Sequence, residues 1–136
     1  MGWFDEKYFF CPEDIALSTL LNKQGYECWV NSNTKLTHAC GATWSKTIVA
    51  TKPATVKGLF YFYRDESLCS AIIYHLLATF EYSLKMLYWI VKSMIKSNTH
   101  TKIMIKANWH GVVALYSSKT PKQLFTDYYF QFRNDK

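Results

Sequence analysis

The feature that most constrains this 136-residue chain is a long run of apolar residues at helical spacing. Between residues 59 and 97, apolar side chains recur every three or four positions, which predicts one or two long amphipathic helices. The set comprises Leu68, Ile72, Leu76, Phe80, Leu84, Leu87, Val91 and Met94. Glu81 and Lys85 interrupt the run. Since a helix that crosses a bilayer needs about 20 mostly uncharged residues, the sequence predicts no membrane span.

Start and stop signals for another helix lie near the N-terminus. Pro12, followed by two acidic residues, is typical of a first helical turn, and Gly25 is typical of a left-handed helix end. The alternating residues 26–30 then predict a short strand, and residues 34–38 predict a second short strand or extended segment. This part of the chain therefore introduces β-structure.

The remaining segments predict a surface loop and two more helices. Residues 39–57 are rich in Ser and Thr and contain Pro53, so we expect a mobile loop that crosses the surface. Helical patterns cover residues 102–116, and Pro121 opens a short last helix. Together these elements predict an α-rich α+β fold in a chain long enough for one domain.

The net charge of +6 lies mainly in the C-terminal half of the chain. Residues 66–136 carry nine basic and four acidic side chains, and only Arg64 and Arg133 are arginines. Without an arginine-rich run, the pattern argues against sequence-specific nucleic-acid binding and favours an anionic membrane surface or a phosphorylated ligand. The four cysteines form no Cys-x-x-Cys pair and the N-terminal residues do not resemble a signal peptide, so we expect a cytoplasmic protein with free thiols.

Residues 2–41 carry the most informative motif. They read GWFDEKYFFCPEDIALSTLLNKQGYECWVNSNTKLTHACG, in which an Asp-Glu pair, an aromatic pair, a Glu-Asp pair, Gly-Tyr and His-x-x-Gly follow in order. This order resembles the C-terminal part of the catalytic domain of family 2 glycosyltransferases, which have the GT-A fold. Residues 60–65 and 109–112 more loosely resemble the helical tail of bacterial rhamnosyl- and galactofuranosyl-type members.

The resemblance implies a fold and a reaction. Residues 1–57 would form the acceptor side of a GT-A catalytic domain, and residues 58–136 a helical segment packed on it. The implied function is inverting transfer of a sugar from a nucleotide-sugar donor to a cell-surface polysaccharide or lipid-linked acceptor. Such a transfer needs a carboxylate to take the proton of the attacking hydroxyl.

The resemblance also implies roles for individual residues. Asp14 would be the general base and Glu13 its orienting neighbour. His38 would contact the Mg²⁺ or Mn²⁺ ion that holds the leaving diphosphate. Residues implied on the acceptor side, or able to stack on sugar rings, are Asp5, Glu6, Trp3 and Trp44.

The donor-binding motifs of such an enzyme are missing from these 136 residues. Neither an Asp-x-Asp motif nor a glycine-rich phosphate loop is present. We therefore expect the chain to be inactive alone, as a fragment, as one half that works with a separately encoded donor half, or as a remnant that only binds. Sheet edges left by the missing half would favour association with another chain, including a second copy.

A non-catalytic hypothesis stays open beside the enzyme. The chain could be a cationic amphipathic interaction protein at the inner face of the plasma membrane, with Tyr88 and Trp89 at the interface. The lysines that would face lipid head groups are Lys85, Lys92, Lys96, Lys102 and Lys106. The enzyme hypothesis predicts that Glu13, Asp14 and His38 line one polar cleft, whereas this alternative predicts that Lys85, Lys92 and Lys96 share one exposed face.

Overall fold

The computed structural model describes residues 5–37 and 42–134, with side chains for 5–37 and 47–133. Within these ranges the chain forms one 3-10 helix and five α-helices and contains no strand. The 3-10 helix spans Glu6–Tyr8, and the α-helices are α1 (Glu13–Lys23), α2 (Ala42–Glu66), α3 (Leu68–Ile95), α4 (Thr99–Tyr116) and α5 (Pro121–Asn134).

The prediction of an α+β fold, with two short strands in the acceptor half of a GT-A domain, is wrong for the described residues. Residues 26–31 and 34–37 are irregular rather than strands. Their alternating pattern suits a strand, but a strand forms only where its backbone groups find a neighbouring strand. No described segment offers that neighbour.

The loop predicted over residues 39–57 is also wrong from residue 42 onward, because α2 occupies that part of the chain. Val49, Ala54 and Val56 are almost completely buried, so this segment lies at the centre of the molecule. The Thr51 hydroxyl donates to the Thr47 carbonyl at 3.2 Å, which satisfies a polar group inside the helix. Burial of small residues therefore outweighs the loop-like composition. The boundary predicted between residues 57 and 58 lies inside α2.

α4 supplies a hydrogen-bond partner for a backbone carbonyl of α2 that Pro53 leaves without its helical donor. Pro53 lacks the N–H that would reach back to the Val49 carbonyl four residues earlier. His110 of α4 lies with its Nδ1 3.3 Å from that carbonyl oxygen, and its ring stacks on Tyr128 of α5 at 3.8 Å. The neutral tautomer with a proton on Nδ1 therefore donates to the carbonyl that Pro53 leaves open.

Several helix ends agree with the sequence patterns. Gly25 has a φ of +83°, as predicted for the end of α1. α4 begins with a capping box, in which Asn98 accepts from the Thr101 backbone at 2.8 Å. Ser67 caps α3 in the same way, with a 3.0 Å bond from the Ser70 N–H, and it separates α3 from α2. The long apolar run thus contributes to two helices.

The central helix α2 packs against α3, α4 and α5. The buried cluster consists of Val56, Ala78 and Leu115, with Phe60, Tyr74 and Tyr82 packed around it. α1 buries none of its residues and lies at the end of the molecule where α2 meets α3. Among the described helices, none combines the length and the apolar character needed to cross a membrane.

Candidate functional site

An open cleft of about 670 Å³ lies between the 3-10 helix, α1 and the C-terminal end of α2. We name it the acidic cleft, because acidic side chains outnumber basic ones in its lining. The charged residues that line it are Asp5, Glu6, Glu13, Asp65, Glu66, Lys7 and Lys23. An acidic cleft in a chain of net charge +6 favours neutral or cationic ligands over anionic ones.

Lys7 holds one wall of the acidic cleft together. Its Nζ lies 2.7 Å from Asp65 Oδ2 and 2.9 Å from Asp5 Oδ2. Burial opposes the charge of Lys7, but the bonds to Asp65 and Asp5 outweigh it and raise the pKa of the amine. The hydrogen bond from Lys7 lowers the pKa of Asp5. These groups therefore stay charged at neutral pH and contribute to structure rather than to proton transfer.

Tyr8 joins this wall from the inside. Its hydroxyl donates to Asp65 Oδ2 at 2.5 Å, and its ring is almost fully buried against Phe62. Burial, together with the bond to Asp65, raises the pKa of the Tyr8 hydroxyl to about 12. The 3-10 helix is thereby attached to the end of α2.

Glu13 and Asp14, the two predicted catalytic residues, have different surroundings. Glu13 lines the acidic cleft, and its Oε2 atom is buried without a hydrogen-bond partner among the described residues. Asp14 is exposed and is not part of the lining; its Oδ1 accepts from the Ile15 N–H at 2.8 Å. A buried carboxylate oxygen with no partner is costly unless something else donates to it. Glu13 is therefore the carboxylate that a ligand in the cleft would meet.

The structure brings three of the predicted site residues together. Asp5, Glu6 and Glu13 line the same cleft. Trp3 and His38 lie outside the described residues, and the side chain of Trp44 is not among those described. The predicted meeting of Asp14 and His38 thus concerns a residue that the structure does not cover.

Sequence reasoning missed the residues that come from distant parts of the chain. Lys23 at the end of α1 lies 2.7 Å from Glu66 at the end of α2, and Asp65 reaches Lys7 and Tyr8 across more than fifty residues. Asp65 stood only in the looser motif at residues 60–65, and nothing in one sequence signals which carboxylate a given lysine will meet. These contacts follow from the packing of α2.

The described residues include no group of three His, Cys, Asp or Glu side chains arranged to hold a metal ion. The resemblance implies a divalent metal with His38 as a contact, and His38 lies outside the described residues. Cys11, Cys28 and Cys69 are free thiols.

The lysines of the alternative hypothesis lie at the opposite end of α3. At about 100° per residue, Lys85, Lys92 and Lys96 point to one side of the helix axis, and all three are exposed. Lys92 Nζ lies 4.8 Å from the centre of the Trp89 ring and 5.6 Å from that of Tyr88, whereas Lys85 pairs with Glu81. This end of the molecule is cationic and aromatic.

No family model, curated protein or solved structure matches the chain.

Proposed function

We propose that this chain supplies the acceptor side of an inverting sugar transfer, with the Glu13–Asp14 pair as the source of the general base. The observation that carries the proposal is the unpartnered Glu13 Oε2 in the acidic cleft, beside Asp5 and Glu6. A cleft of about 670 Å³ has the size of small-molecule sites and can take a sugar unit.

The chemistry requires one proton acceptor and one electrophile. An acceptor hydroxyl attacks the anomeric carbon of a nucleotide sugar, the new carbon–oxygen bond forms, and the bond to the diphosphate breaks. The carboxylate takes the hydroxyl proton, and the nucleoside diphosphate leaves with the bonding electrons. The part played by this chain is to hold the acceptor hydroxyl against the carboxylate. Because the carboxylate stands in the first turn of a helix, it has little freedom of movement.

The irregular segment between α1 and α2 offers a surface for a second protein chain, which would supply the donor-binding half. Trp29, Val30 and Leu36 are 86%, 92% and 82% exposed. Residues 27–30 make no backbone hydrogen bond to another described residue. Apolar side chains next to open backbone groups are what a neighbouring chain would cover by adding a strand.

Substitution of the two carboxylates tests the proposal. With a donor half and a labelled nucleotide sugar present, we expect one of the two variants, Glu13→Gln or Asp14→Asn, to reduce transfer about 100-fold or more. General-base catalysis contributes about that much to the rate. Acceptor binding, measured by NMR titration of the chain with oligosaccharides, should change little in the same variant.

Asp127→Asn is the matched control, since Asp127 is an exposed acid on α5, far from the acidic cleft in sequence and paired with Lys119. Oligosaccharide shifts should fall on residues 5–8, 13–20 and 62–66. Unchanged transfer in both carboxylate variants would exclude a base at this pair, and shifts confined to α4 and α5 would exclude the cleft.

A second candidate function is favoured by the cationic end of α3. Trp89 and Lys92, with exposed Lys96, present the mixture of rings and amines that binds anionic lipid head groups. In that case the chain should co-sediment with vesicles that contain phosphatidylserine. The double substitution of Lys92 and Lys96 by Gln should leave the chain in the supernatant. The same changes should leave oligosaccharide shifts at the acidic cleft in place.

A further inference from the structure

One side of α3 carries a regular apolar stripe that nothing in the described chain covers. Its residues are separated alternately by four and three positions over three heptads. The stripe, which we name the outer face, consists of Ile73, Leu77, Phe80, Leu84, Leu87, Val91 and Met94, with exposed fractions from 49% to 82%. This spacing averages 3.5 residues, the period of helices that pack along one another.

The outer face points directly away from the body of the molecule. Ala71 and Ala78, on the opposite side of the helix, are buried against the core. In its first half α3 is therefore apolar on both sides, which is the pattern of a helix that is buried all round. From Lys85 onward its inner side also carries exposed lysines. Its inner side has a partner within the chain and its outer side does not.

The exposed area is large enough for a stable interface. Ile72, Leu76, Ile90 and Ile95 flank the outer face and are also exposed. With on the order of 100 Å² of apolar surface per side chain, the seven residues of the outer face expose about 700 Å². The largest apolar patch of a typical monomer is about 300–600 Å², and a stable interface buries about 800 Å² on each partner.

Charges at the two ends of α3 differ. Asp65 and Glu66 directly precede the helix, and Glu6, Glu13 and Asp14 lie at the same end. This acidic end also holds cations, because Lys7 and Lys23 pair with Asp65 and Glu66, and Lys122 lines a second pocket with Glu13. At the other end, Lys92, Lys96 and Lys102 are exposed, and no acidic residue occurs between Glu81 and Asp127. Two parallel copies of α3 would bring these lysines together, whereas two antiparallel copies bring each lysine-rich end against the end that contains the acidic residues.

We propose that the outer face of α3 pairs with the outer face of α3 in a second copy of this chain, in antiparallel orientation. A lipid surface fits the observations less well, because an interfacial helix carries charges along the whole side opposite its apolar side. In α3 the first half of that opposite side is packed against α2 and α4, and lysines are exposed there only from Lys85 onward. The pairing does not depend on sugar transfer.

Oligomeric state under substitution is the first test. Sedimentation equilibrium should give twice the mass of one chain. Leu84→Glu should raise the dissociation constant at least about tenfold, because two-fold symmetry places a charge in the apolar contact twice. Trp109→Glu is the matched control, since Trp109 is 52% exposed on α4, away from the outer face, and should leave the mass unchanged. Circular dichroism shows whether both variants stay folded.

Cross-linking tests the orientation. In a chain with all four native cysteines, Cys11, Cys28, Cys40 and Cys69, changed to Ser, Leu84→Cys places a thiol at the middle of the stripe, where antiparallel copies meet. A short bismaleimide should join two such chains. Native Cys69, retained alone, should not cross-link, because antiparallel copies hold these thiols about 45 Å apart along the helix axis.

Each other outcome overturns the proposal. A monomer at all concentrations, or a dimer that Leu84→Glu leaves intact, removes the outer face as the contact. Efficient cross-linking through Cys69 replaces the antiparallel arrangement with a parallel one. A monomer that binds phosphatidylserine vesicles through Leu84 makes the occupant a membrane.

Discussion

Lys52 shows how a single residue can carry a cost that the rest of the fold offsets. Its side chain is only 7% exposed, and its Nζ donates to Asn108 Oδ1 at 2.8 Å rather than to a carboxylate. Asn108 in turn donates to the Met104 carbonyl at 2.6 Å, which fixes its orientation. Burial, with help from the nearby charge of Lys85, lowers the pKa of Lys52 to about 8. The native state thus favours the neutral amine more strongly than the unfolded chain does, although the amine is still mostly charged at pH 7.

This preference makes stability depend on pH. The pKa of Lys52 is about 8 in the native state and 10.5 as its ordinary value, so between these pH values the unfolded chain binds more protons. The free energy of unfolding should therefore rise by about 3 kcal/mol across this window. Urea unfolding at several pH values should show the rise in the native chain and not in Lys52→Met.

The free energy of unfolding, plotted against pH for the native chain and for Lys52→Met, gives two curves. Their difference isolates the contribution of Lys52 from those of other titrating groups. Burial raises the pKa of Tyr82 to about 12 and raises that of the Cys11 thiol, so both groups lower stability at high pH in either chain. Parallel curves for the native chain and Lys52→Met would contradict the assignment.

At this scale the sequence predicted which residues carry charge but not what they face. Glu13 and Asp14 are adjacent in the first turn of α1, yet only Glu13 lines the acidic cleft. The 100° step between neighbouring helical residues separates them, and the cleft wall that selects Glu13 comes from α2. Since that wall is more than forty residues away in the chain, local pattern could not reveal it.

Among the elements, α2 shows a close approach between distant segments of the backbone. At Gly58 a Cβ atom would lie 2.0 Å from the carbonyl oxygen of Cys11, which is backbone and cannot move aside as a side chain can. Glycine at this position is what allows the turn before α1 to lie against α2. The turn brings Phe9 and Phe10 onto Phe125 of α5, with ring centres 5.4 and 5.9 Å apart.

Substitution of Gly58 should therefore be costly. Gly58→Ala is expected to lower the free energy of unfolding by about 2–3 kcal/mol, because either the turn or α2 must shift. Gly111→Ala is the matched control: its Cβ would meet Tyr82 Cγ at an ordinary 3.5 Å inside α4. Since alanine favours a helix over glycine, the control should be neutral or more stable by up to about 1 kcal/mol.

Chemical denaturation of both variants measures these changes. Equal stability of Gly58→Ala and the native chain would contradict the close approach. The sequence predicted α1 and α5 from their end signals and α4 from its helical pattern, but it placed a loop over residues 42–57, which is more than half of α2. Ser, Thr and Pro are common in loops, and only the burial of Val49 and Ala50 against other helices shows why these residues are helical here.

Across the whole molecule, stability should decrease from the centre toward the acidic end. α2 is in contact with three other helices, whereas α1 buries no residue and the segment that follows it is exposed. Local opening is easiest where few apolar side chains are buried. The proposed sugar site therefore lies at the least stable end of the chain.

Hydrogen exchange measures this gradient. Amides of residues 27–30 should exchange about a thousandfold or more faster than those of residues 54–58 in α2, because the former have no backbone partner among the described residues. Similar rates in the two segments would contradict it. A ligand added to the acidic cleft should slow exchange in α1 first.

The overall arrangement was predictable only in part. The apolar spacing between residues 59 and 97 predicted one or two long helices, and the end of α2 together with α3 confirms them. The strands predicted from residues 26–30 and 34–38 rested on alternation alone, and alternation does not supply the neighbouring strand. Whether a segment becomes a strand is decided by a partner, which one chain's pattern does not contain.

The outer face of α3 has a consequence for handling the protein. Dilution normally reduces the aggregation of a protein, since molecules collide less often. If two copies pair through α3, dilution instead dissociates the dimer and exposes the apolar outer face to vessel walls, detergents and chaperones. Weak solutions of this chain would then be the ones that lose material.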